Sequence, residues 1–259
     1  MANPFGTPDM AAGYATSRPP VHPRVVEQAY RQLGRIEPFQ RALDIGCGAG
    51  VSTKALAGFA RSCIGLEPVE AMLKWAPAIA PFAGFVAGTA EAIPLCGHSV
   101  DLITAAGSLN YANPDLFFPE AARVLMPDGV LLVYDFSPGR SFRDAPGLDE
   151  WFSTFYSRYP PPGNEARNLD CAILAEMNPA FQMRTHLEFE IGIPLTQAFY
   201  LNYMMTETNI AAAMRRGVAQ SEIRSWCAET LDAIWNGPER EVLFRGYFAC
   251  MALREGVRQ

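Results

Sequence analysis

The order of apolar and amphipathic segments predicts an α/β protein built on a doubly wound, mostly parallel sheet. Three observations carry that prediction. A short apolar run ends in a glycine turn that opens a helix, at Arg41-Ala-Leu-Asp-Ile-Gly-Cys-Gly-Ala-Gly-Val-Ser-Thr53. A second apolar run, Ser62-Cys-Ile-Gly-Leu66, follows that helix and completes a βαβ unit, whose crossover is right-handed. A third run, Val130-Leu-Leu-Val-Tyr-Asp135, lacks the alternation of a half-solvated strand and reads as buried on both faces, as strands of parallel sheets are.

The first strand is expected over Ala42 to Ile45. Gly46, Gly48 and Gly50 remove Cβ atoms where the backbone bends and let a ligand approach the main chain. The helix that follows runs through Ala55 and Leu56 to near Phe59, and its opening amides carry a partial positive charge. Asp44 faces the crevice where ligands of open α/β sheets bind. Glu67 ends the second strand 67 − 44 = 23 residues past Asp44. A carboxylate roughly twenty positions on is suited to accept from two ribose hydroxyls. The competing readings are a tight turn that binds nothing and a surface carboxylate capping a helix that begins near Val69.

Farther along, a third strand ends at Gly88 and a fourth spans Ser99 to Gly107. Asn113 to Leu125 has helical spacing of Leu116, Phe117, Ala121 and Leu125, with Pro114 near its start. Met126-Pro-Asp-Gly129 is a turn before the fifth strand. The resulting order, β-α-β-α-β-β-α-β, is that of a parallel doubly wound sheet. Ahead of it, Met1 to Pro23 reads as an irregular arm, either a flexible terminus or a lid, and Arg24 to Leu33 as a helix.

At 259 residues, 49% hydrophobic and 19% charged, the chain is long and apolar enough for one large domain with a sizeable insertion. Its net charge is −6, and its 21 basic residues include two lysines, Lys54 and Lys74, and no basic run. Nucleic acid is therefore not the expected partner. The six cysteines show no C-x-x-C pair, which speaks for buried thiols in a cytoplasmic protein and against a zinc site. Nothing resembles a signal peptide, and no apolar run approaches the length of a membrane span.

Five blocks together go beyond the glycine turn: Leu43-Asp-Ile-Gly-Cys-Gly-Ala-Gly50, Gly65-Leu-Glu-Pro68, Gly88-Thr-Ala-Glu-Ala-Ile-Pro94, Ser99-Val-Asp-Leu-Ile103 and Ala121-Ala-Arg-Val-Leu-Met-Pro-Asp-Gly-Val130. In order and spacing, over roughly residues 40 to 136, the chain resembles the class I S-adenosylmethionine-dependent methyltransferases, in their small-molecule, type 11-like branch. The resemblance implies a Rossmann-like, seven-stranded sheet with an antiparallel last strand and a helical cap insertion. It divides the chain into a lid arm and helix (1–34), a cofactor-binding core (35–140), a cap that includes a sixth strand (141–240) and a last strand (241–259).

By the same resemblance, Asp44 and the turn Gly46, Cys47, Gly48 and Gly50 surround the methionine part of S-adenosyl-L-methionine, and Glu67 binds its ribose. Val69 and Ala90 border the adenine, Pro68 is a further cofactor-binding residue, and Ala106 and Gly107 line the floor beside the amino-acid part. Thr89 stands where the family often has an acid, so the contact to the adenine amino group passes to Glu91 or to the backbone. Tyr14 and Arg18 of the arm close over the cofactor, Arg18 being suited to a carboxylate. His22 stands where an aromatic is more usual. A Rossmann dehydrogenase would have its third glycine where Val51 stands.

The rest of the chain is expected to set substrate specificity. Trp151 to Tyr159, Thr196 to Met205, Asn209 to Arg216 and Ser221 to Trp235 read as helices, the last capped by Ser221 and the first ended by Pro160-Pro-Pro-Gly163. Phe181 to Ile191 and Val242 to Leu253 read as strands six and seven. Aromatic side chains such as Trp151, Phe155, Tyr200 and Tyr203 are expected either in the core or lining an apolar pocket for a small, partly hydrophobic substrate. Asn110 and Tyr111, after strand four, are placed to orient the acceptor. Tyr111 and His22 are the candidates for acid–base work, and His98 and His186 read as structural. Three functions remain open on these grounds: a small-molecule methyltransferase, a nucleotide-binding oxidoreductase, and a non-catalytic S-adenosylmethionine-binding module that regulates a partner.

Overall fold

The computed structural model describes residues 8–162 and 166–254. In chain order the elements are α1 (Pro8–Ser17), α2 (Val21–Gln32), β1 (Phe39–Ile45), α3 (Val51–Lys54), β2 (Ala60–Glu67), α4 (Glu70–Leu73), α5 (Ala76–Ile79), β3 (Gly84–Ala87), β4 (Val100–Ala106), α6 (Pro114–Val124), β5 (Leu125–Phe136), β6 (Ser141–Phe142), α7 (Leu148–Arg158), α8 (Cys171–Met177), β7 (Phe181–Leu195), α9 (Gln197–Met204), α10 (Thr208–Arg215), α11 (Gln220–Asp232) and β8 (Arg240–Leu253). The strands form one sheet in the order β3-β2-β1-β4-β5-β8-β6, with β7 beside β8. β1 to β5 are parallel, and β8 runs antiparallel to β5, pairing Leu131 with Met251 and Tyr134 with Phe248.

The chain divides into two compact units: Met1–Val21, Ser137–Glu165 and Glu190–Arg245 form one, and His22–Phe136, Ala166–Phe189 and Gly246–Gln259 the other. In the second unit β1 lies between β2 and β4, pairing Leu43 with Ile64 on one side and Ile103 on the other. The strand order reverses there, so the crevice at the β1 and β4 exits is the topological switch point where ligands of such sheets bind. One sheet face carries Leu43, Ile45, Ile103, Leu131, Val133 and Met251, all covered by Phe117, Phe118 and Ala121 of α6 and Leu174 of α8. Each such side chain contributes about 1.5–3 kcal/mol by leaving water. The opposite face presents Tyr134 and Phe136, against which the His22 ring of α2 packs edge-on.

In the first unit, Trp151 and Phe155 of α7 stack at 5.0 Å between ring centres, and Trp151 donates to Thr230 Oγ1 of α11 at 2.8 Å. Tyr200 of α9 meets Trp151 edge-on and donates to the Gly139 carbonyl at 2.6 Å. This aromatic cluster is the unit's core.

Several expectations need correction. Among the described residues the sheet has eight strands, not seven: the two-residue β6 pairs Phe142 with Val242 and is too short to show a sequence period. The arm is helical from Pro8, and the next helix begins at Val21, not Arg24. Pro23 fits there because amides in a first helical turn have no intrahelical partner. Residues 1–7, Gly163 and 255–259, which the expected arm, helix stop and last strand include, lie outside the described residues. The helix after the glycine turn stops at Lys54; Ala55 and Leu56 bond three residues back to Ser52 and Thr53, and Gly58 takes a left-handed φ of 84°. Met126 to Gly129 are carried within β5 as an irregularity, where the register jumps from Val100–Leu125 to Leu102–Val130. α11 begins at Gln220 with Ala219 before it, so Ser221 lies inside the helix and does not cap it. Asp170 does cap a helix that the sequence reading omitted, accepting from the Ile173 amide at 2.7 Å to start α8.

Candidate active site

The turn leaving β1 is fixed by carbonyls on both sides of it. The Gly46 and Cys47 amides both donate to the Leu66 carbonyl, at 2.8 and 3.1 Å, and the Gly50 amide donates to the Cys47 carbonyl at 2.8 Å. Gly46, Gly48 and Gly50 take φ of 65°, 54° and 86°, in the left-handed region that favours glycine. At Gly46 the need is also steric, because a Cβ would collide with that of Ser108. Ser108 is itself held by its hydroxyl, which donates to the Ile45 carbonyl at 2.6 Å.

Asp44, fully buried, anchors the turn from below. Its Oδ2 accepts from Ser52 Oγ and Thr53 Oγ1, each at 2.6 Å, and its Oδ1 from Thr104 Oγ1 at 2.8 Å. One carboxylate thus ties the end of β1 to α3 and to β4. Burial pushes its pKa up, against the three hydroxyl bonds that pull it down. The carboxylate of Glu67, at the end of β2, spans the next gap: Oε2 accepts from the Gly48 amide at 3.0 Å and Oε1 from the Val69 amide at 2.8 Å. Burial raises its pKa too, with the two amides opposing. Cys47 lies buried between these acids, and burial, then the charges of Asp44 and Glu67, hold its thiol far above the usual range. It is packing, not a nucleophile.

The remaining sequence candidates of this unit fall around the same edge. Pro68 is exposed and Val69 half-buried, just past β2; Thr89 is exposed and Ala90 half-buried, past β3. Glu91 accepts from the Asn113 amide at 2.8 Å, linking the loop after β3 to the start of α6. Ala106 ends β4, and Gly107, at φ 67°, donates its amide to the Tyr134 carbonyl at 2.8 Å. Asn110 Nδ2 donates to Asp135 Oδ2 at 2.7 Å. Tyr111 is 55% exposed, its amide bonded to the Ser108 carbonyl. His22 is buried, with Nδ1 3.0 Å from the Tyr134 hydroxyl. Asp135 was missed by sequence reasoning, which selected Glu67 by its spacing from Asp44, although Asp135 likewise is an acid ending an apolar strand run.

In the first unit, Tyr14 and Arg18 come together: the guanidinium lies 3.9 Å from the Tyr14 ring centre and 5.1 Å from that of Tyr203, and pairs with Glu207 at 3.6 Å. Trp151, Phe155, Tyr200 and Tyr203 are all buried in that unit's aromatic cluster. No helix among the described residues is long and apolar enough to cross a membrane.

A doubly wound sheet with a glycine cradle at its switch point and a carboxylate at the neighbouring strand end defines a nucleotide-binding class of α/β protein. The family model "Methyltransferase domain" matches residues 43–133, which hold the cradle, Glu67 and β4. An uncharacterized methyltransferase of Mycobacterium tuberculosis is 32% identical over 131 residues, 51% of this chain and 51% of its own. A demethylmenaquinone methyltransferase of Renibacterium salmoninarum is 35% identical over 101 residues, 39% of this chain and 43% of its own. The matched stretch thus spans about half the length of the curated relatives, or less. Among solved structures, a candidate type II methyltransferase from Anaeromyxobacter dehalogenans superposes with a TM-score of 0.67 at 27% identity, covering 88% of this chain and 95% of that one. Over residues 43–133 the chain is thus similar in sequence to methyltransferase domains, and its fold is similar to that of a methyltransferase over most of its length.

Proposed function

We propose that the chain binds S-adenosyl-L-methionine at the exits of β1, β2 and β4 and methylates a small, partly hydrophobic organic acceptor. The observation that carries this reading is Glu67, which joins the glycine cradle to the loop after β2 as one hydrogen-bonded piece. The residues fit the ligand. Side chains at Gly46, Gly48 and Gly50 would strain the turn, and the two oxygens of Glu67, each accepting one amide, keep a lone-pair position apiece for ribose hydroxyls. When bound, the ligand supplies a methyl carbon on a positive sulfur, already activated for in-line displacement.

The protein's own task is then to bind, orient and exclude water. Asp44 acts through the three hydroxyls it gathers, holding the cradle in shape. Ala106 and Gly107 form the floor beside the amino-acid part, Val69 and Ala90 border the adenine, Pro68 and Thr89 lie beside them, and Glu91 or the backbone meets its amino group. The first unit is read as the acceptor-selecting part of the chain, with Tyr14 and Arg18 as its lid residues. The setting is cytoplasmic, consistent with six cysteines that are all free thiols.

Calorimetry tests the reading directly. S-adenosylmethionine and its demethylated product should bind, and NAD should not; the converse result ends the proposal. Transfer of a labelled methyl group across a panel of small alcohols, phenols, amines and thiols then separates an enzyme from a binding module.

A further inference from the structure

One carboxylate at this edge has no part in the reading above. Asp135, the last residue but one of β5, is partly buried; Oδ2 accepts from Asn110 and Oδ1 from the Phe136 amide, at 2.7 and 2.8 Å. Each oxygen therefore keeps a further lone-pair position. The main chain at Asn110 is held as well, its backbone carbonyl accepting from the Arg167 backbone amide at 2.8 Å, while the Arg167 guanidinium reaches the Ala112 carbonyl at 2.7 Å. A Cβ on Gly107 would come within 3.0 Å of Asp135 Oδ1, so the glycine leaves that oxygen uncrowded.

Tyr247 of β8 stands opposite Asp135 in the antiparallel register, which puts the two side chains on one face of the sheet. Burial raises the Tyr247 phenol, and the charge of Asp135 raises it further, so the two groups are close. Yet the Tyr247 hydroxyl is buried and has no hydrogen-bond partner among the described residues. A buried donor left alone costs about 1–3 kcal/mol. Such a cost is sustained where an arriving group pairs with the donor.

We propose that Asp135, oriented by Asn110, is the proton acceptor for a hydroxyl-bearing methyl acceptor whose oxygen also takes a hydrogen bond from Tyr247. The donor–acceptor pair names the class. A hydroxyl donates to a carboxylate, accepts from a phenol and gains its nucleophilicity by losing its proton, whereas a neutral amine already carries the attacking lone pair and needs no base before it attacks. In the step itself the acceptor's O–H bond breaks, its proton passes to an Asp135 oxygen, and the bonding pair stays on the acceptor oxygen, which becomes the nucleophile. The proton leaves to water after product release. Burial holds Asp135 above the usual carboxylate range, against its bonds from Asn110 and Phe136, which brings its basicity closer to neutral pH. This inference rests on the methyl-transfer reading and adds to it a base and an acceptor class.

The test uses the full chain loaded with S-adenosylhomocysteine and the probe 4-nitrophenol, whose phenolate is yellow and whose phenol is colourless. The wild type should bind the phenol form, bleaching the probe. Asp135→Asn should lose about 10-fold or more in affinity, the value of a hydrogen bond to a charged group, and bind the yellow form. Asp135→Glu should restore the bleaching, and Tyr247→Phe should weaken binding several-fold without changing the colour. Failure of S-adenosylhomocysteine to bind would sink the methyl-transfer reading itself. Nucleoside binding without probe binding, or with the same affinity and colour in wild type and Asp135→Asn, overturns the base assignment and leaves that reading standing. Should Asp135→Asn not fold, Tyr247→Phe decides alone, since it removes one oxygen from an otherwise apolar contact. Unchanged affinity there overturns the proposal.

Discussion

Replacing Gly46 with alanine isolates the cost of closing the cradle. Gly46 sits at φ 65°, where an L-residue pays about 1–2 kcal/mol. Its new Cβ would meet that of Ser108, which is pinned by its bond to Ile45, and such overpacking costs about 1–3 kcal/mol. The unfolded chain gives back about 0.4–1 kcal/mol, because alanine is less free than glycine. The net loss is about 1–5 kcal/mol, or roughly 2–20 °C in Tm for a chain of this size. Thermal denaturation followed by circular dichroism measures it. The geometry makes a sharper demand through the double mutant with Ser108→Gly. That change removes the colliding Cβ but not the φ strain, at a cost of about 1 kcal/mol for the lost Ile45 bond. A coupling of about 1–3 kcal/mol between the two substitutions should therefore appear. Additive losses would mean that the two Cβ positions do not compete, and the steric account of this turn would be wrong.

Glu67→Gln should weaken S-adenosylhomocysteine binding by about 1.5–3 kcal/mol, roughly 10- to 150-fold, because bonds to a charged acceptor are lost; an unchanged Kd by calorimetry removes Glu67 from the ribose site. Burial raises the folded pKa of Asp44 above its ordinary value of 3.8, so the native state holds its proton more tightly than the unfolded chain. Its contribution is best at low pH and is lost as pH rises from about 3.8 through the folded pKa. Asp44→Asn should flatten that part of the stability-versus-pH curve in urea titrations, and an identical curve in the mutant refutes the assignment. Arg18→Met leaves Glu207 largely buried with only the charge of Arg140 to oppose its own, a loss of up to about 3–5 kcal/mol that Arg18→Met with Glu207→Gln should mostly recover; no recovery in denaturant melts would deny the pair its coupling.

What the sequence showed of this fold follows from where single residues are decisive. The five parallel strands were legible because each is a short apolar run closed by Gly, Pro or an acid. Glu67 was legible because its distance from Asp44 reflects the length of one βαβ crossover. The partners of Asp44 were not, since Ser52 and Thr53 lie next to the turn but Thr104 arrives from β4, 60 positions away. Asp135 was missed for a related reason. An acid ending β5 has the form of Glu67, but its meaning comes from Asn110 and Tyr247, which only the sheet brings beside it. The arm was misread because Gly, Ala and Pro suggest irregular chain. In fact Gly13 allows α1 to approach Thr206, whose Cγ2 would lie 3.1 Å from an added Cβ.

The electrostatics of the cradle favour one kind of ligand. Asp44 is surrounded by hydroxyls and Glu67 by amides, which are dipoles and not counter-charges. Both acids are pushed up by burial, and Asp44 raises Glu67 further, so the site holds negative charge at an energetic cost. A neutral ligand would leave that cost in place. A cationic centre arriving between the exits of β1 and β2 would relieve it, stabilising the ionised form of both acids and gaining attraction that a low-dielectric setting strengthens. A sulfonium nucleoside has such a centre together with the ribose hydroxyls that Glu67 is free to accept. A nicotinamide dinucleotide would offer Glu67 the same ribose hydroxyls but would bring its pyrophosphate to the glycine turn, so it is the buried Asp44 that weighs against the oxidoreductase reading.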